Sequence, residues 1–231
     1  MASLLPLFFL VLTARAGLED LVTQASNGDL PKTERQAAFD ELVRTGYGDE
    51  LIALAEDPNH DARQRWVIIR VIGKIHSPPG VQSLERLLAD DISGIRAAAA
   101  MALGDTGDDT HAPKIAALLE DPAIIVRATA ADALALLASP AAVPYLALAL
   151  DDPSNFYRGE SLWVRRHFVV ALGASQDKAA LPSLIRCLDD ADGTIVDAAL
   201  PALEQVSGVS WSDGRNHDEQ IQAWKRWYAN Q

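Results

Sequence analysis

The chain has little cysteine, and its basic residues are outnumbered by acidic ones. A single cysteine among 231 residues excludes an intramolecular disulfide framework and a cysteine-based zinc site. Lysine and arginine number 20 against 32 aspartate and glutamate residues, which gives a formal net charge of −12. Binding to nucleic acid or to an anionic membrane surface needs a cationic face. We therefore expect no nucleic-acid partner.

Apolar runs of membrane-spanning length are also missing. The longest run, residues 4–12, is followed by Ala14 and Ala16, the small-x-small pattern of a signal-peptidase site. This pattern predicts a signal peptide over residues 1–16 that is removed on export; the alternative is a buried N-terminal helix. We expect an exported protein, periplasmic or extracellular, with no membrane insertion after cleavage.

Catalytic motifs are the third absence. The histidines form no His-Glu-x-x-His pair, and the chain has no Gly-x-Ser-x-Gly elbow, phosphate loop or dinucleotide fingerprint. The acid-rich segments 105–109 and 189–192 lack the closing glutamate of a calcium loop. Cys187 occupies an apolar position and is expected to be a buried small hydrophobe. We therefore predict no enzyme activity, no cofactor and no metal.

What the chain does contain is a pattern that recurs about every 31 residues. Six segments place an arginine or its counterpart after the start of a run of small apolar residues, with anchors at positions 35, 65, 96, 127, 165 and 196. The steps are 30 or 31 residues, except for 38 residues between 127 and 165. Each anchor segment predicts a short helix. A second helix is predicted over residues 81–89, 112–120, 141–150 and 179–188.

Helix pairs this short cannot bury their apolar faces alone and must stack on their neighbours. We therefore predict an all-α fold, a right-handed α-solenoid of about six helix pairs over residues 31–206. Residues 17–30 and 207–231 are predicted to supply N- and C-terminal capping helices. Aromatic residues on the last helix favour a hydrophobic lid over a ligand-stacking site. Glycines closing the first helices, at 73, 104 and 173, are expected to adopt positive φ.

The motif Val/Ile-Arg-x-x-Ala-x-x-Ala-Leu-Gly, followed by Pro-x-Leu-x-x-x-Leu-x-Asp, resembles the HEAT-like repeats named after phycobilisome bilin lyases. The resemblance covers residues 31–206 and implies the solenoid fold, which serves many functions. We expect a scaffold that mediates protein–protein interaction. The alternative is an enzyme or cofactor-handling protein of the bilin-lyase-like or HEAT-hydroxylase type.

The second helix of each pair is expected to line the concave face of the solenoid. Counting from the anchors predicts that Ser83 and Ser183 point outward, together with a strip of candidate partner-binding residues: Arg86, Lys114, Tyr145, Leu148 and Arg186. The strip has three cations and no carboxylate, which favours an acidic segment as the partner. The alternative is a solvated helix face of chance composition.

The seven extra residues fall within residues 153–161. Insertions in solenoids form loops that often bind partners, and Phe156, Tyr157 and Arg158 are residue types common at interfaces. The alternative is a neutral insertion whose aromatic residues fold back on the next helix.

The anchor arginines have a structural explanation. Asp90 precedes Arg96 by six residues, and Asp121 precedes Arg127 by six. This spacing predicts a ladder of Asp–Arg pairs between units, with each acid also capping the following helix. Val196 replaces the arginine in the last copy, so the ladder should end there.

Overall fold

The computed structural model describes residues 17–231, and that part of the chain is mostly helical. The predicted signal peptide lies outside the described residues. The chain divides into two compact units, the first ending at Ala102 and the second formed by Leu103–Gln231. Within residues 17–231, the helices are all too short or too polar to cross a membrane.

Paired helices that follow one another along the chain build the first unit. Its described part begins with a helix, α1, over residues 17–26. The helices that follow are α2 (Lys32–Thr45), α3 (Gly48–Glu56), α4 (Ala62–Ile75), α5 (Pro78–Leu87) and α6 (Ser93–Gly104), the last crossing the boundary between the units. Helix α4 packs against α2, α3 and α5.

The second unit continues the alternation of helices and ends with a single C-terminal helix. Its elements are α7 (Ala112–Ala116), α8 (Ile124–Leu137), α9 (Val143–Asp151), a hairpin of β1 (Phe156–Tyr157) and β2 (Glu160–Ser161), α10 (Val164–Ala174), α11 (Leu181–Cys187), α12 (Gly193–Ser207) and α13 (His217–Tyr228). Helix α10 packs against α8, α9 and α12. Short 3₁₀ turns precede or extend several of the second helices; Ala117–Glu120, for example, continues α7.

Local signals explain where several helices begin. The Asp61 carboxylate accepts hydrogen bonds from the backbone N–H groups of Arg63 and Gln64 at the start of α4. At the start of α13, Asn216 and Glu219 form both hydrogen bonds of a capping box, as the sequence predicted. These side chains satisfy backbone donors that a helix start leaves unpaired.

The prediction that Gly73, Gly104 and Gly173 adopt positive φ was wrong. Helix α4 continues past Gly73 and ends at His76, whose φ is 55°. None of the three glycines is among the described residues with positive φ. Each instead lies against an alanine 29 residues later, where a Cβ on the glycine would fall 2.7–2.9 Å from the Cβ of Ala102, Ala133 or Ala202. These glycines allow close packing of successive first helices.

The aromatic residues of α13 pack against each other, in agreement with the lid interpretation. Trp224 is only 1% exposed. Its ring makes edge-to-face contacts with Trp211 and Trp227, at centroid distances of 6.5 and 5.4 Å. This geometry is typical of packed aromatic clusters.

Candidate partner-binding site

Buried arginines hold the repeats in register in both units. In the first unit, Arg65 is 1% exposed, forms an ion pair with Asp90, and donates from Nε to the carbonyl oxygen of Ala55 at 2.8 Å. In the second unit, Arg165 is 3% exposed and binds Asp190 at 2.7 Å. A buried guanidinium needs this degree of pairing, because leaving it without partners is costly.

The predicted ladder of Asp–Arg pairs is present, but its spacing differs from the prediction. Each printed pair joins an arginine to an aspartate 25 residues later in the chain. The six-residue spacing instead leads to the backbone, since Arg96 and Arg127 donate from Nη1 to the carbonyl oxygens of Asp90 and Asp121, each at 2.8 Å. The anchor arginines are therefore structural.

The aspartates of the ladder bind backbone in the turn before the next helix. The Asp90 carboxylate accepts from the N–H of Ile92 at 2.9 Å, and that of Asp190 accepts from the N–H of Asp192 at 2.9 Å. The turn, and not the helix start itself, is what these acids cap. At α12 the cap is Asp192, which accepts from the N–H of Thr194.

Asn155 fixes the base of the inserted segment. Its side chain is fully buried. The amide donates to the Ala149 carbonyl at 2.8 Å, and its oxygen accepts from Arg127 Nε at 2.9 Å. The insertion is therefore attached to the ladder of buried arginines, and the sequence gave no signal for this role of Asn155.

Beyond Asn155 the insertion forms a short β-hairpin, not the predicted loop. Phe156 pairs with Ser161, and Tyr157 pairs with Glu160. The turn residues Arg158 and Gly159 both have positive φ, 53° and 84°, as the tight two-residue turns of hairpins require.

Only part of the hairpin is available to a partner. The Phe156 ring is half-buried, 4.3 Å from the guanidinium carbon of Arg165. This residue folds back on the next helix, and its predicted role as a partner contact was wrong. Tyr157 is 63% exposed, and the Arg158 guanidinium lies over its ring at 5.2 Å. Tyr157 and Arg158 therefore remain candidates.

The predicted cationic strip is largely neutralised. Arg86 binds Glu56 with its Nε at 3.0 Å and its Nη2 at 2.5 Å. Arg186 binds Asp151 at 2.7 Å. Lys114 is exposed on α7. Because carboxylates lie against two of the three cations, the strip does not provide the excess positive charge expected from the sequence.

Ser83 and Ser183 were predicted to point outward, and this was wrong. They are 0% and 5% exposed, respectively. Tyr145, at the corresponding position of α9, is 45% exposed. A serine is small enough to fit between packed helices, whereas a tyrosine ring is accommodated at the surface.

Tyr145 and Leu148 lie together in a small groove of the second unit. The groove is bordered by apolar residues and two acids: Ala116, Leu119, Glu120, Tyr145, Leu148, Ala149 and Asp152. Leu148 is 73% exposed, the largest value among the exposed large hydrophobic residues of the described chain. Residues of the hairpin are absent from the described lining of the groove, so the structure provides two separate candidate contacts.

The groove carries negative charge at its border. Hydrogen bonding from Ser154 holds the pKa of the Asp152 carboxyl below its ordinary value, which keeps it ionised near neutral pH. Glu120 also lines the groove. The sequence pattern marked Asp152 only as the residue that closes a repeat.

The described residues do not suggest catalysis by metal or thiol. Residues 17–231 contain no group of three or more His, Cys, Asp or Glu side chains arranged to hold a metal ion. Cys187 is 3% exposed, and burial raises the pKa of its thiol to about 12. Such a thiol is a poor nucleophile.

The sequence of the second unit decides the family. Residues 93–163 match the family described as HEAT repeats, and residues 164–190 match the family described as PBS lyase HEAT-like repeat. Residues 93–190 are HEAT-like repeats. The recognition of a HEAT-repeat protein from its repeated arginine helix is confirmed. A search among curated proteins found no match.

Solved structures confirm the all-α solenoid fold. The complex of CpcE and CpcF of phycocyanin lyase from Nostoc sp. PCC7120 contains a chain with 25% identity and a TM-score of 0.59; the match covers 69% of this chain and 64% of that one. The HEAT-repeat chain thus spans less than two thirds of that relative.

Two designed proteins share the fold more completely. An engineered protein is similar with a TM-score of 0.56 and 22% identity, over 84% of this chain and 90% of that chain. A designed armadillo repeat protein in complex with the peptide (KR)4 has a TM-score of 0.53 and 20% identity, over 82% of this chain and 99% of that chain. At these identities the similarity concerns the fold alone.

Proposed function

We propose that this HEAT-repeat protein is an exported, non-enzymatic scaffold that binds a protein partner through the groove around Leu148. The observation that carries the proposal is the 73% exposure of Leu148 beside the half-exposed Tyr145. Apolar and aromatic side chains that line a concavity are common anchors of protein interfaces.

The charge around the groove favours a partner segment with basic flanks. Glu120 and Asp152 border the groove, while Arg86 and Arg186 are already bound to acids. Complementary charge adds specificity and speeds association. The expected ligand is therefore an apolar side chain between lysines or arginines, in place of the acidic segment that the sequence favoured.

The hairpin tip is a second contact in this proposal. Arg158 adopts a φ of 53°, which is uncommon outside glycine, asparagine and aspartate. Strained residues of this kind cluster at functional sites. With the exposed Tyr157 ring beneath it, the guanidinium offers a cationic, planar surface to a partner.

Known relatives of the fold support protein binding. The phycocyanin lyase relative was solved as a complex of two chains, and the designed armadillo protein was solved with a peptide. Stacked repeats thus offer surfaces that hold other polypeptides.

Export is the part of the proposal supported by residues 4–12 and the Ala14-x-Ala16 pattern. The test is mass spectrometry of the protein recovered from the periplasm or medium. Cleavage after Ala16 is the expected result, and full-length protein in the cytoplasm would contradict export.

The binding experiment compares Leu148→Asp with Leu136→Asp. Leu136 is 55% exposed on α8 and is not part of the groove, so it controls for the chemical change. A labelled peptide with leucine between lysines should bind the wild type and Leu136→Asp, and should lose binding to Leu148→Asp. The same peptide with glutamates in place of the lysines should bind less. Equal binding by both variants would contradict the proposal.

A lyase-like role is the second candidate, favoured by the 25% identity to the phycocyanin lyase chain. Visible absorbance of a chromophore retained by the purified protein would support this role over the scaffold.

A further inference from the structure

A pocket in the first unit collects positive charge in this acidic protein. It lies between α1, α2 and α4 and has a volume of about 230 Å³. Its lining contains three cations, one amide and apolar or aromatic side chains: Ala25, Lys32, Arg35, Gln36, Phe39, Trp66, Val67 and Arg70. No carboxylate is among these lining residues.

The cations of this pocket lack acidic partners. Within residues 17–231, Lys32, Arg35 and Arg70 form no ion pair, whereas Arg65 of the same unit is paired with Asp90. The nearby Gln36 amide donates to Asp40 at 2.8 Å, so that carboxylate is engaged by the amide. Three unpaired cations in one pocket favour an anionic ligand.

Arg35 adds a more specific observation. Its Nε atom is buried and has no hydrogen-bond acceptor among the described residues. A buried donor without an acceptor costs free energy, and native structures rarely leave one so. An anion in the pocket would supply the missing acceptor.

Two aromatic rings hold Arg70 in place. Its guanidinium carbon lies 4.9 Å from the Trp66 centroid and 5.4 Å from the Phe39 centroid. Stacking through the face of the guanidinium leaves its N–H edges available for an anion. Trp66 is 41% exposed and offers apolar surface beside the charge.

We propose that this pocket binds the phosphate group of a small phosphate monoester, with the organic part of the ligand against Trp66. The phosphate is a dianion near neutral pH, which suits three cations better than a single carboxylate does. Arginine forks match phosphate oxygens in pairs. The site belongs to the first unit and does not depend on the proposed function of the groove in the second.

The test is isothermal titration with phenyl phosphate, inorganic phosphate, benzoate and phenol at low ionic strength, with tryptophan fluorescence as a second readout. Phenyl phosphate should bind best, inorganic phosphate less well, benzoate weakly, and phenol not at all. Arg70→Met and Lys32→Met should each weaken phenyl phosphate binding about tenfold or more, since a charged hydrogen bond is lost. Lys32 is exposed, so its variant tests the site even where the Arg70 variant does not fold.

Arg44→Met is the matched control, because Arg44 lies on α2, outside the pocket lining, and is bound to Glu41. It should bind phenyl phosphate like the wild type. Absence of binding by phenyl phosphate, equal binding of benzoate, or an equal loss in Arg44→Met would each overturn the proposal.

Discussion

Gly73 lies so close to Ala102 that a Cβ on the glycine would fall 2.8 Å from the alanine Cβ and 3.1 Å from its Cα. Gly104 and Gly173 stand in the same relationship to alanines 29 residues later. The glycine of the repeat motif is therefore required by the contact between successive first helices and not by the end of its own helix.

Replacing Gly73 by alanine should destabilise the protein. The added methyl group has no free space, so the two helices must separate, at a cost of about 1–3 kcal/mol. Urea denaturation followed by circular dichroism measures the change. Gly94→Ala is the control, because nothing lies within 4 Å of a Cβ there; its effect should stay within about 1 kcal/mol.

The alanine partner offers a reciprocal test. The double variant Gly73→Ala/Ala102→Gly should recover part of the loss seen for Gly73→Ala, since the methyl group is only moved across the interface. Additive losses in the double variant would show that the contact is not the reason for the glycine.

The repeat period and the pairing of helices could be read from the sequence because small apolar residues and the anchor arginine recur at fixed spacing. The role of Gly73 could not, since a glycine near a predicted helix end fits a positive φ and a close approach equally well. Only the position of the neighbouring helix distinguishes the two.

Removing the Arg165 guanidinium should be far more costly than removing that of Arg86. Arg165 is 3% exposed and binds Asp190, Ser161 and the Leu150 carbonyl. Arg165→Met therefore leaves buried acceptors unpaired and should lower the free energy of unfolding by about 3 kcal/mol.

Arg86→Met is the comparison for this prediction. Arg86 is also bound to an acid, Glu56, but both side chains are substantially exposed. Exposed pairs contribute about 0–1 kcal/mol, so a small change is expected in the same urea titration. Similar losses for the two variants would contradict the structural role assigned to Arg165.

The same contrast explains why the cationic strip was overestimated. Counting offsets within a repeat placed Arg86 and Arg186 at the surface, and they are exposed. Their acids come from 30 and 35 residues earlier in the chain, and these separations do not follow one fixed offset. Tyr145 and Leu148 were easier to recognise, because their exposure depends only on their own helix.

Cys187 should resist alkylation in the folded protein. Burial raises the pKa of its thiol from 9.0 to about 12, so almost none is thiolate at about pH 8. Iodoacetamide should give no mass increase under native conditions and one adduct in denaturant. Rapid labelling of the native protein would contradict this burial.

The same thiol makes stability depend on alkaline pH. The unfolded chain loses the thiol proton above its ordinary pKa, while the folded chain retains it up to the raised value. The stabilising contribution is complete below pH 9.0 and declines as the pH rises toward 12. Cys187→Ala should show a smaller decline over that interval in urea titrations.

The hairpin turn predicts opposite effects for two neighbouring residues. Gly159 has a φ of 84°, which a side chain adopts only at a cost, so Gly159→Ala should destabilise the protein by about 1 kcal/mol or more. Arg158 has a φ of 53°, where asparagine is better tolerated than arginine. Arg158→Asn should therefore leave the melting temperature unchanged or raise it. Because Tyr157 and Arg158 point to solvent, a drop in melting temperature with Arg158→Asn would mean that the guanidinium stabilises the fold, and its stacking on Tyr157 would then be structural and not a surface kept for a partner.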